Sequence, residues 1–312
     1  MLFTKIMTRC LVSVLLLLIT PLISYATTAL KTEQVNTALS EPNADAQITT
    51  QLFALEKQYG GRIGMSFINT HNNSVLSYRA NERFPFASTF KVMAVAAILK
   101  KSESDNGLLN KRVVYTEQQV NNSGYAPITS KHIQTGMTIN ALCAAALKYS
   151  DNTAVNLLIE QLGGPNKITA FARSINDKHF NLTRLEPKLN LVYPGESQDT
   201  TTPAAMTSSL KKLILGNALA KTQRQKLKNW LIDNTTGDTK IRASVPNSWI
   251  VGDKTGSGRF GATNDIAIIW PQNSEPLILS IYYVQKEIDA KHNNQLIQEI
   301  TTNVLNIMRP IP

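Results

Sequence analysis

PFASTFKVMAV, residues 85–95, sets Ser88 and Lys91 three residues apart in otherwise apolar company. An ammonium is costly to bury without partners, so the segment needs a reason to keep its lysine. Upstream, ADAQITTQLFALEKQYG has helical spacing in Ile48, Leu52 and Leu55. RIGMSFINT sets Ile63, Met65 and Phe67 against Arg62, Gly64 and Ser66, as a strand does; HNNS reads as a turn and SVLSYRA as a second strand. From about 86 to 231 the periodic segments are helical. After Trp249 strands return in WIVGDKTGSG, NDIAIIW and LILSIYYV, and a helix runs from about Asn293 to Met308. Strands at both ends around a helical block predict an α/β (α+β) chain. Residues 44–79 and 232–312 form one discontinuous mixed domain, and 80–231 an all-helical insert. Clefts between domains favour small molecules.

The chain has 312 residues, 43% of them apolar, enough for a sizeable core. Its first 26 residues stand apart. Lys5 and Arg9 precede the run CLVSVLLLLI, and Ser24-Tyr25-Ala26 has the small-x-small form of a cleavage site. That layout predicts a signal peptide over 1–26 and export to the periplasm, followed by a polar lead-in over 27–43. The net charge is +10, and loss of Lys5 and Arg9 leaves +8. No dense basic run is interleaved with aromatic residues, so the charge reads as a solvated surface and nucleic acid is not an expected partner. Past the signal only Cys143 remains, within the helical run NALCAAALKYS, as an inert buried thiol. His71, His132, His179 and His292 lack metal-ligand spacing and read as surface residues; no metal or cofactor is expected.

Four short motifs carry chemistry, and each has a bland alternative. A helix opening at Ser88 puts Lys91 on the same face, able to hold the serine proton, with the Ser88 N–H free for an oxyanion. The alternative is an N-cap serine beside a snorkelling lysine, and Ser209-x-x-Lys212 repeats the spacing mid-helix. Ser150-Asp151-Asn152 lies between two apolar helices, facing either a cleft or solvent. Its second copy, Ser104-Asp105-Asn106, is some 24 Å along the Ser88 helix at about 1.5 Å per residue. Glu186-Pro187-Lys188-Leu189-Asn190 lies in an aperiodic loop over 184–199. Such loops are often functional, and Glu186 could serve as a general base with Asn190 holding a water. Lys254-Thr255-Gly256-Ser257-Gly258 sits on a strand, where a lysine and two hydroxyls can receive a carboxylate.

With all four motifs in this order the chain resembles the class A serine β-lactamases from about residue 45 to 309, flanks included: YAPIT at 125–129, SDNTAVNLLIEQLGGP at 150–165 and GDKTGSGRFGATNDIAIIWP at 252–271. The resemblance implies the β-lactamase/penicillin-binding-like fold: an antiparallel sheet flanked by helices, an all-helical domain, and the active site between them. It implies a hydrolase acting on the cyclic amide of penicillins and cephalosporins, conferring resistance to them. Ser88 would be the nucleophile, and Lys91 or Glu186 the acylation base. Ser150 would pass a proton to the departing nitrogen, with Lys254 lowering its pKa, and Glu186 with Asn190 would place the deacylating water. Asn152 would bind the substrate's side-chain amide and Thr255 with Ser257, beside Gly256, its carboxylate. The N–H groups of Ser88 and Ser257 would form the oxyanion hole. Tyr125 would be an aromatic wall, and Arg184 and Asp199 an ion pair across the loop neck, with a cis Glu186–Pro187 bond. The implied partners are β-lactam antibiotics and β-lactamase inhibitors, met by a monomer without a membrane anchor once the signal is gone.

Thr263 stands where many members carry a second carboxylate-binding arginine, and Lys240 is a possible substitute. Ala87 and Gly258 replace the cysteine pair of many carbapenem-hydrolysing relatives; Thr255, Ser257 and Gly258 look more like the cefotaxime-hydrolysing branch. A D,D-peptidase shares the serine, lysine and Lys-Thr-Gly elements but lacks the Glu186–Asn190 water site, and a penicillin sensor would stay acylated. Turnover of a chromogenic cephalosporin separates these readings. The signal makes its own prediction: intact-mass analysis of the exported protein should give a chain starting near Thr27, without residues 1–26 and without a lipid adduct.

Overall fold

Residues 43–308 are described by the computed structural model. The expected signal and all but the last residue of the lead-in lie outside them. Helix α1 (Ala44–Tyr59) starts where the Asn43 side chain accepts the Asp45 N–H, and it buries Ile48, Leu52 and Leu55. It leads into β1 (Arg62–Asn69) and β2 (Val75–Tyr78). The far end of the chain adds β3 (Ile250–Ser257), β4 (Thr263–Trp270) and β5 (Leu277–Val284). Together they form one antiparallel sheet in the order β2-β1-β5-β4-β3. Both ends of the described chain thus build the same sheet, and β3 is left at its edge.

Residues 266–270 of β4 and nearly all of β5 are apolar because both faces of the sheet are covered. Alternate residues sort to opposite sides. Ala267, Ile269, Leu279 and Ile281 pack with α1 and with Leu296 and Ile300 of α9 (Asn294–Met308). Ile266, Ile268, Ile278 and Tyr282 join the core of the helical block. For the same reason the alternation expected of β1 is incomplete: Ser66 is buried too, and a Cβ on Gly64 would come within 2.3 Å of the Phe84 ring.

The helical block comprises α2 (Lys91–Ser102), α3 (Glu117–Ser123), α4 (Ile139–Lys148), α5 (Asn152–Leu162), α6 (Pro165–Ser174), α7 (Pro203–Leu210) and α8 (Lys221–Ile232). Helix α2 is its axis, buried at every position from Lys91 to Leu99. One expectation is corrected here. The α-helix does not open at Ser88; a 3₁₀ turn, Ala87–Phe90, precedes it, with Ala87 at a φ of 43°. Three residues per turn stack positions i and i+3, so Ser88 still lies one turn from Lys91.

The duplicate motifs are absorbed by the scaffold. Ser209 Oγ donates to Asp177 Oδ2 at 2.8 Å and Lys212 Nζ to the Ile175 carbonyl at 2.6 Å. Ser104-Asp105-Asn106 is an exposed turn in which Asp105 accepts the Gly107 N–H. Cys143 is buried, which pushes its thiol pKa up, and the four histidines are exposed. The close approach at Gly64 predicts that Gly64→Ala lowers unfolding stability by about 1–3 kcal/mol, the usual cost of overpacking, read as a shift in the urea midpoint.

Candidate active site

Lys91 is fully buried, and its ammonium sits where three segments meet. Nζ donates to the Ser150 carbonyl at 2.7 Å and to Asn152 Oδ1 at 2.6 Å, and lies 3.2 Å from Ser150 Oγ. Glu186 Oε1 is 3.3 Å away. Burial pulls the Lys91 pKa down, and the Glu186 carboxylate pushes it back up. Ser88 Oγ donates to that same Glu186 oxygen at 3.2 Å. Nucleophile and lysine therefore converge on one carboxylate.

Ser150, at a φ of 58°, lies between two ammonium groups. Lys254 Nζ donates to Ser150 Oγ at 3.0 Å and to the Thr255 carbonyl at 2.8 Å. Burial, with the Lys91 cation beside it, holds the Lys254 pKa well below that of a free lysine. The middle residue of the triplet, Asp151, is structural. Its carboxylate accepts the N–H groups of Ile128, Thr129 and Ala154, capping α5 and pinning the segment after Tyr125. The Asn152 N–H in turn donates to the Tyr125 carbonyl at 2.7 Å, leaving the Tyr125 side chain at the surface.

The 184–199 loop brings Glu186 in from far along the chain. The Glu186–Pro187 bond is cis. At the neck, buried Asp199 accepts from Arg184 Nε and from the N–H groups of Thr183 and Arg184. Beyond Glu186 a 3₁₀ turn, Lys188–Asn190, brings Asn190 Nδ2 to 2.5 Å from Glu186 Oε2. Asn190 Oδ1 is buried and has no partner among the described residues. One residue of this arrangement escaped the sequence reading. Asn156 grips the Glu186 backbone twice, donating to its carbonyl and accepting its N–H, both at 3.0 Å. A signal existed, because Asn156 lies four residues after Asn152 and so on the same face of α5.

On the other side stands the exposed edge of β3. Gly258 N–H donates to the Ala262 carbonyl, so Ser257, opposite Thr263, falls in a non-bonded pair of the ladder. Its N–H therefore points out from the edge. The Ser88 N–H has no acceptor in the described chain. A Cβ on Gly256 would lie 2.8 Å from the Phe86 carbonyl and 3.2 Å from the Ser88 nitrogen, which is why a glycine lets the strand lie against the 3₁₀ turn. Two outward N–H groups result, one from each wall. Thr255 Oγ1 is 2.6 Å from Thr236 Oγ1, a second hydroxyl that the motifs did not reveal.

Beneath β3 lies a charged layer. Asp253 pairs with Arg242 and accepts from Asn234 Nδ2 at 2.7 Å. Burial raises the pKa of Asp253, against the pull of Arg242, and raises that of Asp265 further, with Asp253 adding to it. Lys240 is buried beside these two aspartates; burial lowers its pKa and they oppose the shift. Thr263 faces elsewhere: its hydroxyl donates to the Gly261 carbonyl and accepts the Asn293 N–H.

The arrangement therefore holds a serine against a carboxylate, a second hydroxyl between two lysines, and two free N–H groups. That set suits acyl transfer through a covalent ester. Residues 47–308 match the model of the beta-lactamase enzyme family. A β-lactamase of Proteus vulgaris is 54% identical over 259 residues, covering 83% of this chain and 95% of that protein. β-Lactamase Toho-1 of Escherichia coli is 56% identical over 250 residues, covering 80% and 85%. Among solved structures, an ancestral class A β-lactamase superposes with a TM-score of 0.80 at 45% identity, covering 83% of this chain and 99% of the other.

Because both polar groups of the Glu186 backbone depend on Asn156, Asn156→Ala should cost about 1–3 kcal/mol of stability, the usual penalty for stranding buried polar groups, measured by chemical denaturation.

Proposed function

The chain belongs to the class A β-lactamase family, of the cefotaxime-hydrolysing type, and from that membership we propose how its cleft opens and hydrolyses the cyclic amide of a β-lactam. The observation that carries the mechanism is the Ser88 hydroxyl donating at 3.2 Å to Glu186 Oε1, with the Lys91 ammonium 3.3 Å from the same oxygen. Ser88 Oγ attacks the lactam carbonyl and its proton passes to Glu186. Lys91 stabilises the carboxylate beforehand and is the next base in reach. The carbonyl oxygen, becoming negative, is held by the N–H groups of Ser88 and Ser257. One such donor is typically worth about 3–4 kcal/mol in the transition state.

The tetrahedral intermediate collapses with cleavage of the carbon–nitrogen bond, and the nitrogen needs a proton. Ser150 Oγ supplies it. Two lysines beside that hydroxyl favour its release of a proton; Lys91, 3.2 Å from Ser150 Oγ and 3.3 Å from Glu186 Oε1, restores it and takes up the proton that Glu186 received, so Glu186 is a carboxylate again. The ester on Ser88 is then attacked by a water that gives its proton to Glu186, which passes it to Ser88 Oγ as the ester bond breaks. Asn190 Oδ1, buried and without a partner among the described residues, is suited to orienting that water. Asn152 reads the amide of the substrate side chain, and Tyr125 flanks it. Thr255 and Ser257 receive the ring carboxylate, with the buried Lys240 cation contributing to the field from behind.

We infer export to the periplasm and action as a monomer, with no nucleic-acid or membrane partner. Among the described residues no helix is long and apolar enough to cross a membrane.

The separation of the two half-reactions is testable. Glu186→Ala removes the one carboxylate that Asn190 contacts among the described residues, and also the charge that raises the Lys91 pKa. Lys91 should then serve as base for ring opening, while ester hydrolysis should slow by at least the 10²–10⁴-fold typical of a general base. Mass spectrometry after mixing with a penicillin should show a long-lived adduct on Ser88 in Glu186→Ala and none in Ser88→Ala. Normal turnover by Glu186→Ala, or an adduct elsewhere, would refute the assignment.

A further inference from the structure

A second cavity, about 420 Å³ in volume, lies under the far limb of the 184–199 loop. None of Ser88, Lys91, Ser150, Glu186 or Lys254 lines it. Its apolar surface comes from Val192, Tyr193 and Pro194 of the loop, Pro85 before the 3₁₀ turn, and Phe260 between β3 and β4. The rings of Tyr193 and Phe260 meet edge to face, centroids 5.8 Å apart, and Tyr193 is half exposed. The volume is within the range of small-molecule sites, about 300–1,000 Å³.

The charges around it are unequal. Arg62 is paired with Glu82 at 2.8 Å, and Arg79 with Glu56 at 2.9 Å and Glu82 at 3.1 Å. Arg83 has only neutral acceptors, the His179 carbonyl at 2.7 Å and Thr200 Oγ1 at 3.0 Å. Lys286, also in the lining, is exposed, and among the described residues neither it nor Arg83 has a carboxylate partner. Glu196, the one carboxylate of the lining, is 3.8 Å from Arg184 and accepts the Tyr193 N–H. Two cations without counter-charge thus border an apolar floor.

We propose that this cavity binds a small amphiphilic anion: a flat apolar body against Tyr193 and Phe260, and a sulfonate, phosphate or carboxylate head between Arg83 and Lys286. Aromatic faces and an arginine fork match those two halves. The site is wired to the cleft. Val192–Glu196 follows Asn190 after Leu191 alone, and the Asn190 carbonyl accepts the Arg259 N–H at 2.9 Å while its amide donates to Glu186. An occupant braces this limb and alters deacylation. That consequence rests on the mechanism above; the binding does not.

The probe is anilinonaphthalene sulfonate, titrated by fluorescence into the mature protein and into its Ser88→Ala variant. Both should bind it saturably at one site. Its neutral counterpart, phenylnaphthylamine, should bind at least about tenfold more weakly, as expected for loss of a charge-assisted contact. Lys286→Gln, at an exposed position, should weaken the sulfonate about threefold or more, and adding Arg83→Gln at least about tenfold. A crystal grown with the probe should place it between Tyr193 and Phe260. Equal binding of the neutral probe, indifference to Lys286→Gln, or a probe lodged beside Ser88 would overturn the site. Saturating probe should also change the penicillin turnover rate at least about twofold; an unchanged rate with intact binding would overturn the coupling and leave the mechanism untouched.

Discussion

The Lys91 ammonium is fully buried and spends its hydrogens on the Ser150 carbonyl and Asn152 Oδ1, with Glu186 at 3.3 Å as counter-charge. A buried charge stripped of one partner typically costs about 3–5 kcal/mol, so the segments carrying those partners are not free to drift. The turn between α4 and α5 must come to α2, and the loop must come in from the opposite side. Burial of Lys91 therefore organises the cleft before any substrate enters. It also leaves the Ser88 hydroxyl beside a carboxylate, the feature on which the proposed chemistry turns.

Around that centre each functional side chain is held by something that does no chemistry. Asp151 caps α5 and pins the segment after Tyr125, which fixes Asn152 and Tyr125 together. Asn156 grips the Glu186 backbone, and Asp199 gathers the loop neck through Arg184 and Thr183. On the β3 side, Gly256 lets the edge strand lie against the 3₁₀ turn, so N–H groups from two different elements face one point. Preorganisation of this kind makes a few donors effective, since they need not reorient as charge develops.

The electrostatic design extends below the cleft. Lys91 and Lys254 would repel each other in a dry interior, and Glu186 on one side and Asp253 and Asp265 on the other offset part of that cost. Arg242 and Lys240 in turn balance the two aspartates. The result is a layered stack of alternating sign in which Ser150, between the two lysines, touches both through its hydroxyl. In the proposed mechanism, a proton passed through Ser150 moves within a field set largely by residues outside the substrate's contacts.

Much of this was legible in the sequence, because it depends on local pattern. The spacing of Ile48, Leu52 and Leu55 determined α1, and the runs after Trp249 determined strands whose alternate residues serve two cores. The four motifs named Ser88, Lys91, Ser150, Glu186, Asn190 and Lys254, since each combines residue types that chemistry requires at short range. Contacts made across long separations were decided by the tertiary structure alone. Ser150 and Lys254 meet across 104 residues, Ser88 and Glu186 across 98. Periodicity carries no information about such pairs, nor about which lysine is sealed from water. The 3₁₀ turn under Ser88, the grip of Asn156, the burial of Lys240 between aspartates and the neutral partners of Arg83 all arise there. Each follows from how separate segments fill and neutralise a shared interior, a condition that no single stretch of chain contains.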